Sequence, residues 1–124
     1  MNTNFDNDIP IYVQIVDYLK TYIIRGEFKS GERLPSVRDL AALFKVNPNT
    51  MQKALGELEN IKLIYTERTN GKYVTEDKKI INNLKKECAQ KIIDDYFLSM
   101  SKIGISKEDA ICYLGKDCKN ASWN

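Results

Sequence analysis

The apolar positions of this chain change period twice, and the changes mark its elements. Ile11, Ile15, Leu19, Tyr22 and Ile23 recur at helical spacing, with Asp17 and Lys20 outside the stripe. Pro10 suits the first turn of that helix, and Gly26 ends it. After a loop from Glu27 to Arg33, Val37, Leu40, Ala41 and Phe44 form the buried stripe of a short second helix. Ser36 is placed to cap it, with Asp39 in the position of the capping-box acid. A tight turn at Lys45-Val46-Asn47 leads into a third helix, capped by Asn47 and opened by Pro48. Met51, Ala54, Leu55, Leu58 and Ile61 face its core, while Asn49, Gln52, Lys53 and Gly56 share the opposite side.

From Leu63 to Glu67 the pattern alternates, as a strand requires, and Asn70-Gly71 is a strong short hairpin signal. Lys72 to Thr75 then forms the return strand. An isolated hairpin is marginal in water, so this ribbon must lean on the helices, with Tyr65 or Tyr73 as the expected contact. Helical spacing resumes over residues 77–104, through Ile81, Leu84, Cys88, Ile92, Tyr96, Met100 and Ile103, widened by Ala89, Ile93 and Phe97. Gly104 ends this helix. Ser106 opens a last one carrying Ala110, Ile111 and Leu114, closed by Gly115. Residues 1–9 read as a flexible arm, and residues 116–124 as a polar tail apart from Cys118 and Trp123.

These elements predict a mainly α (α+β) chain. Residues 1–76 form a winged helix-turn-helix domain, and residues 77–124 a two-helix C-terminal segment. Two short helices across a tight turn, with polar side chains at the start of the second, can place those side chains in the major groove of DNA. Asn49 and Gln52 can each pair bidentately with adenine; Thr50 can meet a phosphate or a thymine methyl, and Lys53 a phosphate. Gly56 would permit close backbone approach, or is neutral. The stripe of residues 81–103 is wider than a lone helix can leave wet. Ile81, Leu84, Cys88, Ile92, Tyr96 and Met100 are its candidate dimerisation residues, since a two-fold dimer suits a palindromic operator. Packing on the last helix of the same chain is the plainer account of that stripe.

Composition narrows the function further. The chain has no histidine, which removes the commonest general base and metal ligand. Cys88, Cys112 and Cys118 form no C-x-x-C pair, so neither a metal nor another cofactor is expected, and reduced thiols are. No glycine-rich phosphate loop or evident carboxylate pair favours an enzyme. No apolar run is long enough to span a bilayer and the first residues are polar, so a cytoplasmic location is expected. Net charge is only +2, and residues 1–76 hold ten Lys/Arg against ten Asp/Glu. Any electrostatic footprint must therefore come from placement, with Lys45, Lys53, Arg68 and Lys72 in the segments assigned to DNA.

The blocks PIYVQI at 10–15, LPSVRDLA at 34–41, VNPNTMQKAL at 46–55 and LIYTERTNGKYV at 63–74 stand in an order and spacing that resembles the DNA-binding domain of GntR-family transcriptional regulators. The short helical segment after the wing resembles the YtrA subfamily. The resemblance implies a repressor that binds a palindromic operator as a homodimer, commonly at a transport operon. It also implies DNA contact by Arg38, by Asn47, Asn49, Thr50, Gln52 and Lys53, and by the wing tip at Arg68, Thr69, Asn70 and Gly71, with Lys72 flanking it. Lys62 and Thr69 stand where many relatives have glycine. Neutral Asn49 and Gln52 stand where relatives often carry arginine, which implies a different base preference. A small-molecule effector stays open. The competing reading is a winged-helix module that docks another protein without sequence-specific DNA binding, and the balanced charge of residues 1–76 is its support.

Overall fold

A computed structural model describes residues 5–68 and 71–115. The chain divides into two compact units, Met1–Leu84 and Lys85–Asn124. The first contains α1 (Ile11–Ile24), α2 (Val37–Phe44), α3 (Pro48–Asn60), β1 (Ile64–Glu67) and β2 (Gly71–Val74). α4 (Lys78–Lys102) runs through the division, and α5 (Lys107–Tyr113) lies in the second unit.

The first unit is built around α3, which packs on α1, on α2 and on β1. Its core closes completely: Ile15, Leu19, Leu40, Phe44, Met51, Leu55, Leu58, Leu63, Ile64 and Val74 are each no more than 2% exposed. The caps form as their side chains predict. The Ser36 hydroxyl accepts from the Asp39 N–H at 3.1 Å, and Asn47 Oδ1 accepts from the Asn49 N–H at 2.7 Å. Residues 6–9, expected to be part of a flexible arm, are tied to α1 by Gln14. Its amide bonds the backbone of Asp6 in both directions and the carbonyl of Ile9, each at 2.7 Å.

Helices end in one shared geometry on different residues. In α1 and α4 the left-handed position belongs to Gly26 (φ 82°) and Gly104 (φ 84°). In α2 and α3 it belongs to Lys45 (φ 57°) and Lys62 (φ 65°). At α3 the Lys62 N–H donates to Glu59 O at 2.9 Å and the Leu63 N–H to Leu58 O at 3.0 Å, the two bonds of a Schellman motif. The turn between α2 and α3 has the same pair, from Lys45 to Ala42 and from Val46 to Ala41. A residue with a Cβ held there costs about 1–2 kcal/mol, which the packing of the flanking elements offsets, α2 and α3 at Lys45 and α3 and β1 at Lys62.

β1 and β2 pair antiparallel, with Ile64 opposite Val74, Tyr65 opposite Tyr73, Thr66 opposite Lys72 and Glu67 opposite Gly71. The ribbon gains a partner on its other edge. Arg33 bridges Tyr73, the Leu34 N–H donates to Lys72 O at 2.8 Å, and the Val74 N–H donates to Glu32 O at 2.9 Å. This third segment, together with buried Ile64 and Val74, is what anchors the wing. The tyrosines expected to do so instead stack on each other, ring centroids 5.7 Å apart, because their register positions put them on the outer face.

The second unit is a helical hairpin. Tyr96 Oη donates to the carbonyl of Ala110 at 2.6 Å, and the Lys107 ammonium sits 5.1 Å from the centroid of the Phe97 ring. Among its described residues Ala110 is the only buried apolar one. Ile92, Leu98, Ile103, Ile111 and Leu114 are more than half exposed. Cys88 is a free thiol, whereas Cys112 is disulfide-bonded, a departure from the expectation of reduced cysteines. Bonding depends on how closely two sulfurs approach, which their spacing along the chain does not reveal.

Candidate nucleic-acid interface

α3 turns its residues as the helical period requires. Met51, Ala54, Leu55 and Leu58 are buried, while Asn47, Asn49, Gln52 and Lys53 are exposed and Thr50 is half-buried. The polar start of the helix therefore stands outward, free of the core. Capping engages Asn47 Oδ1, which leaves the donors of that amide for another partner. Ile11, Tyr12, Asn49, Thr50 and Lys53 line an open cleft of about 420 Å³ where the start of α1 meets the start of α3. Within it the Lys53 ammonium lies 4.0 Å from the centroid of the Tyr12 ring, a cation–π distance. Tyr12 was not among the expected site residues. Its place beside Lys53 depends on how α1 crosses α3, which the sequence pattern does not encode.

Arg38 is exposed on α2. The ion pairs among the described residues join Arg25 to Glu27 and Lys72 to Glu59, so Arg38 belongs to neither. Arg68 follows β1 and is exposed as well. Thr69 and Asn70, the expected centre of the wing tip, lie outside the described residues. Gly71 holds φ 97°, and a Cβ there would stand 3.2 Å from Arg33 Nε, so the guanidinium of Arg33 lies over this glycine.

Lys72 behaves differently from the other expected contacts. Its ammonium is paired with the Glu59 carboxylate and accepted by the Thr66 hydroxyl at 3.0 Å, and its side chain is only 16% exposed. Thr66 in turn donates to Glu59 at 2.5 Å. The hydrogen bonds from Lys72 and then Thr66 hold the Glu59 carboxyl below the usual carboxylate range, against a small opposing effect of burial. The triad ties α3 to both strands of the wing.

The candidate dimerisation residues divide between the units. Leu84 is buried within the single chain and Ile81 is half-buried. Ile92 is 69% exposed, and Cys88, Tyr96 and Met100 are half-buried, with the Tyr96 hydroxyl committed to Ala110.

Residues 11–74, from the start of α1 to the end of the wing, match the sequence model of bacterial regulatory proteins, gntR family. The chain belongs to the GntR family. It is thus one of a family of transcriptional regulators with a DNA-binding winged helix-turn-helix domain, not an enzyme. It is similar to the HTH-type transcriptional repressor YtrA of Bacillus subtilis, 39% identical over 94 residues that cover 71% of this chain and 72% of that protein. A GntR family transcriptional regulator from Listeria monocytogenes has the same fold over 89% of this chain and 96% of its own, with a TM-score of 0.82 and 45% identity. The AraR DNA-binding domain, solved in complex with operator ORR3, matches 60% of this chain and 88% of its own, with a TM-score of 0.52 and 25% identity. In this GntR chain no helix among the described residues is long and apolar enough to cross a membrane.

Proposed function

We propose that this GntR-family chain is a sequence-specific repressor that binds a palindromic operator as a homodimer, at an operon for transport. The observation that carries the reading is the outward start of α3. Asn49, Gln52 and Lys53 stand exposed beside Thr50 while Met51, Ala54 and Leu55 of the same turns are buried. Asn49 and Gln52 read base edges, each bidentate pair with adenine being worth about 1–3 kcal/mol of discrimination. Arg38, Lys53 and Arg68 meet phosphates and set the register. Two copies are brought together through the apolar side chains that the second unit leaves in water, Ile92, Leu98, Ile103, Ile111 and Leu114. A two-fold pair then presents two α3 starts to half-sites about one helical turn apart. The transport assignment rests on the likeness to the YtrA subfamily alone.

Selection of bound duplexes from a random pool tests this reading. The expected product is one palindromic sequence. Arg38→Ala should weaken binding to all duplexes alike, while Asn49→Ala should relax base choice at one position of each half-site. Equal affinity for scrambled and selected duplexes would favour a protein-docking module instead, as the even charge balance of residues 1–76 allows.

A further inference from the structure

Of the two cations expected beside the wing tip, Arg68 is exposed, whereas Lys72 is held by Glu59. We infer that Arg33, which lies in the loop before α2 and outside the sequence motifs of the site, takes the place of Lys72 by gripping a DNA phosphate beside the wing tip. This inference rests on the DNA-binding reading above.

Three features of the structure converge on it. Arg33 is part of the wing by its backbone, since it bridges Tyr73 on the free edge of β2. Side chains alternate across a strand, so Tyr65, Glu67, Tyr73 and Gly71 share the outer face of the ribbon, while Ile64, Val74, Thr66 and Lys72 share the inner one. Glu67 stands opposite Gly71 but forms no ion pair with Arg33. Arg33 is on the outer face with its partner, and its guanidinium reaches along that face toward the turn. It comes to rest over Gly71, where a Cβ would be 3.2 Å from Nε and 3.4 Å from Nη2. The glycine thus leaves a bare backbone floor on which the planar guanidinium lies. The side chain is exposed, and it belongs to neither ion pair among the described residues. A guanidinium with a fixed plane and free donors at the end of a ribbon suits bidentate recognition of a phosphate. Arg68, at the far side of the same turn, gives the tip a second cation. Arg33 and Arg68 thus outnumber Glu67 at this end of the ribbon, where Lys72 is neutralised.

The test is the salt dependence of duplex binding by the full-length chain, measured for wild type, Arg33→Ala, Arg33→Lys and Lys72→Met. Each phosphate contact contributes about 0.9 to the slope of log affinity against log salt. Arg33→Ala should lower the slope by about that amount, so its deficit relative to wild type narrows about threefold between 0.05 and 0.2 M salt. The deficit should be equal on operator and scrambled duplex, with Tm unchanged. Arg33→Lys should restore the slope in part. Lys72→Met should lower Tm and leave the slope as it is. An Arg33→Ala chain that keeps the wild-type slope overturns this inference alone, as does a slope loss in Lys72→Met instead. A wild type that binds every duplex equally removes the sequence-specific reading, while the phosphate contact is still read from the slope. A wild type that binds no duplex removes both.

Discussion

The two units of this chain solve the same problem to different degrees. In the winged unit, helices, ribbon and the segment before α2 enclose a core whose largest side chains are almost wholly removed from water. In the C-terminal unit the long helix and α5 meet along one seam, bury Ala110 and leave Ile92, Ile103 and Leu114 about 70% exposed. Hydrophobic burial scales with the apolar area removed from water, so the first unit has obtained most of its stabilisation from its own residues. The second has apolar area still to bury. The difference separates a part whose apolar residues are covered within the chain from a part that leaves them in water, the surface proposed above to meet a second copy.

Truncating the closed core should have the largest effect. Leu55→Ala should cost about 2–5 kcal/mol in chemical denaturation, the range for a buried leucine. The same truncation at exposed Ile103 should cost no more than about 0.5 kcal/mol in a chain kept monomeric by dilution. If both cost the same, the contrast between the units fails. Next in size is charge on the open face. Ile92→Glu with Ile103→Glu should convert a dimer to a monomer in sedimentation equilibrium. It should also weaken binding to a palindrome about 10- to 100-fold while leaving a single half-site unaffected, since only the linked second binding event is lost.

Helix ends sharpen the comparison at a finer scale. Lys62→Gly should stabilise the winged unit by about 0.5–1 kcal/mol in thermal melts, because the left-handed backbone there carries a Cβ penalty. Gly104→Ala in the C-terminal unit should destabilise by about 1 kcal/mol for the converse reason. The smallest effect concerns Glu59. Its carboxyl is held below its ordinary value in the folded state, so its contribution is present above the unfolded carboxylate range and is lost as pH falls through the folded value. For a pair this near the surface the contribution should be below about 1 kcal/mol. Melts from pH 7 down to pH 3 should show Glu59→Gln less stable than wild type at neutral pH and level with it in acid. A gap that widens in acid would reverse the sign of the linkage.

Much of the interface was legible in the residues, for local reasons. The cap at Asn47, Pro48 behind it and the spacing of Met51, Ala54, Leu55 and Leu58 leave α3 one orientation, and Asn49, Gln52 and Lys53 must then face outward. The glycine ends of α1 and α4 were equally plain. Lysine itself gave no such signal at 45 or 62, since no propensity marks it for a left-handed position, and Lys62 was marked only by the glycine that many relatives have there. Packing of the elements on either side, α2 and α3 for Lys45 and α3 and β1 for Lys62, holds them in place. Lys72 read as a wing cation because its partner Glu59 is thirteen residues away on another element. Arg33 escaped notice for the same cause, since its neighbour on the ribbon, Tyr73, is far along the chain.

Periodicity, caps and turn residues, all short-range, were enough to set the succession of helices and strands and the outward polar start of α3. Partnerships across the chain required the folded coordinates: which cation the wing keeps free, which acid neutralises Lys72, and which apolar surface remains wet. Those depend on distances between residues remote in sequence, and a pattern repeating every two or four positions carries no information about them.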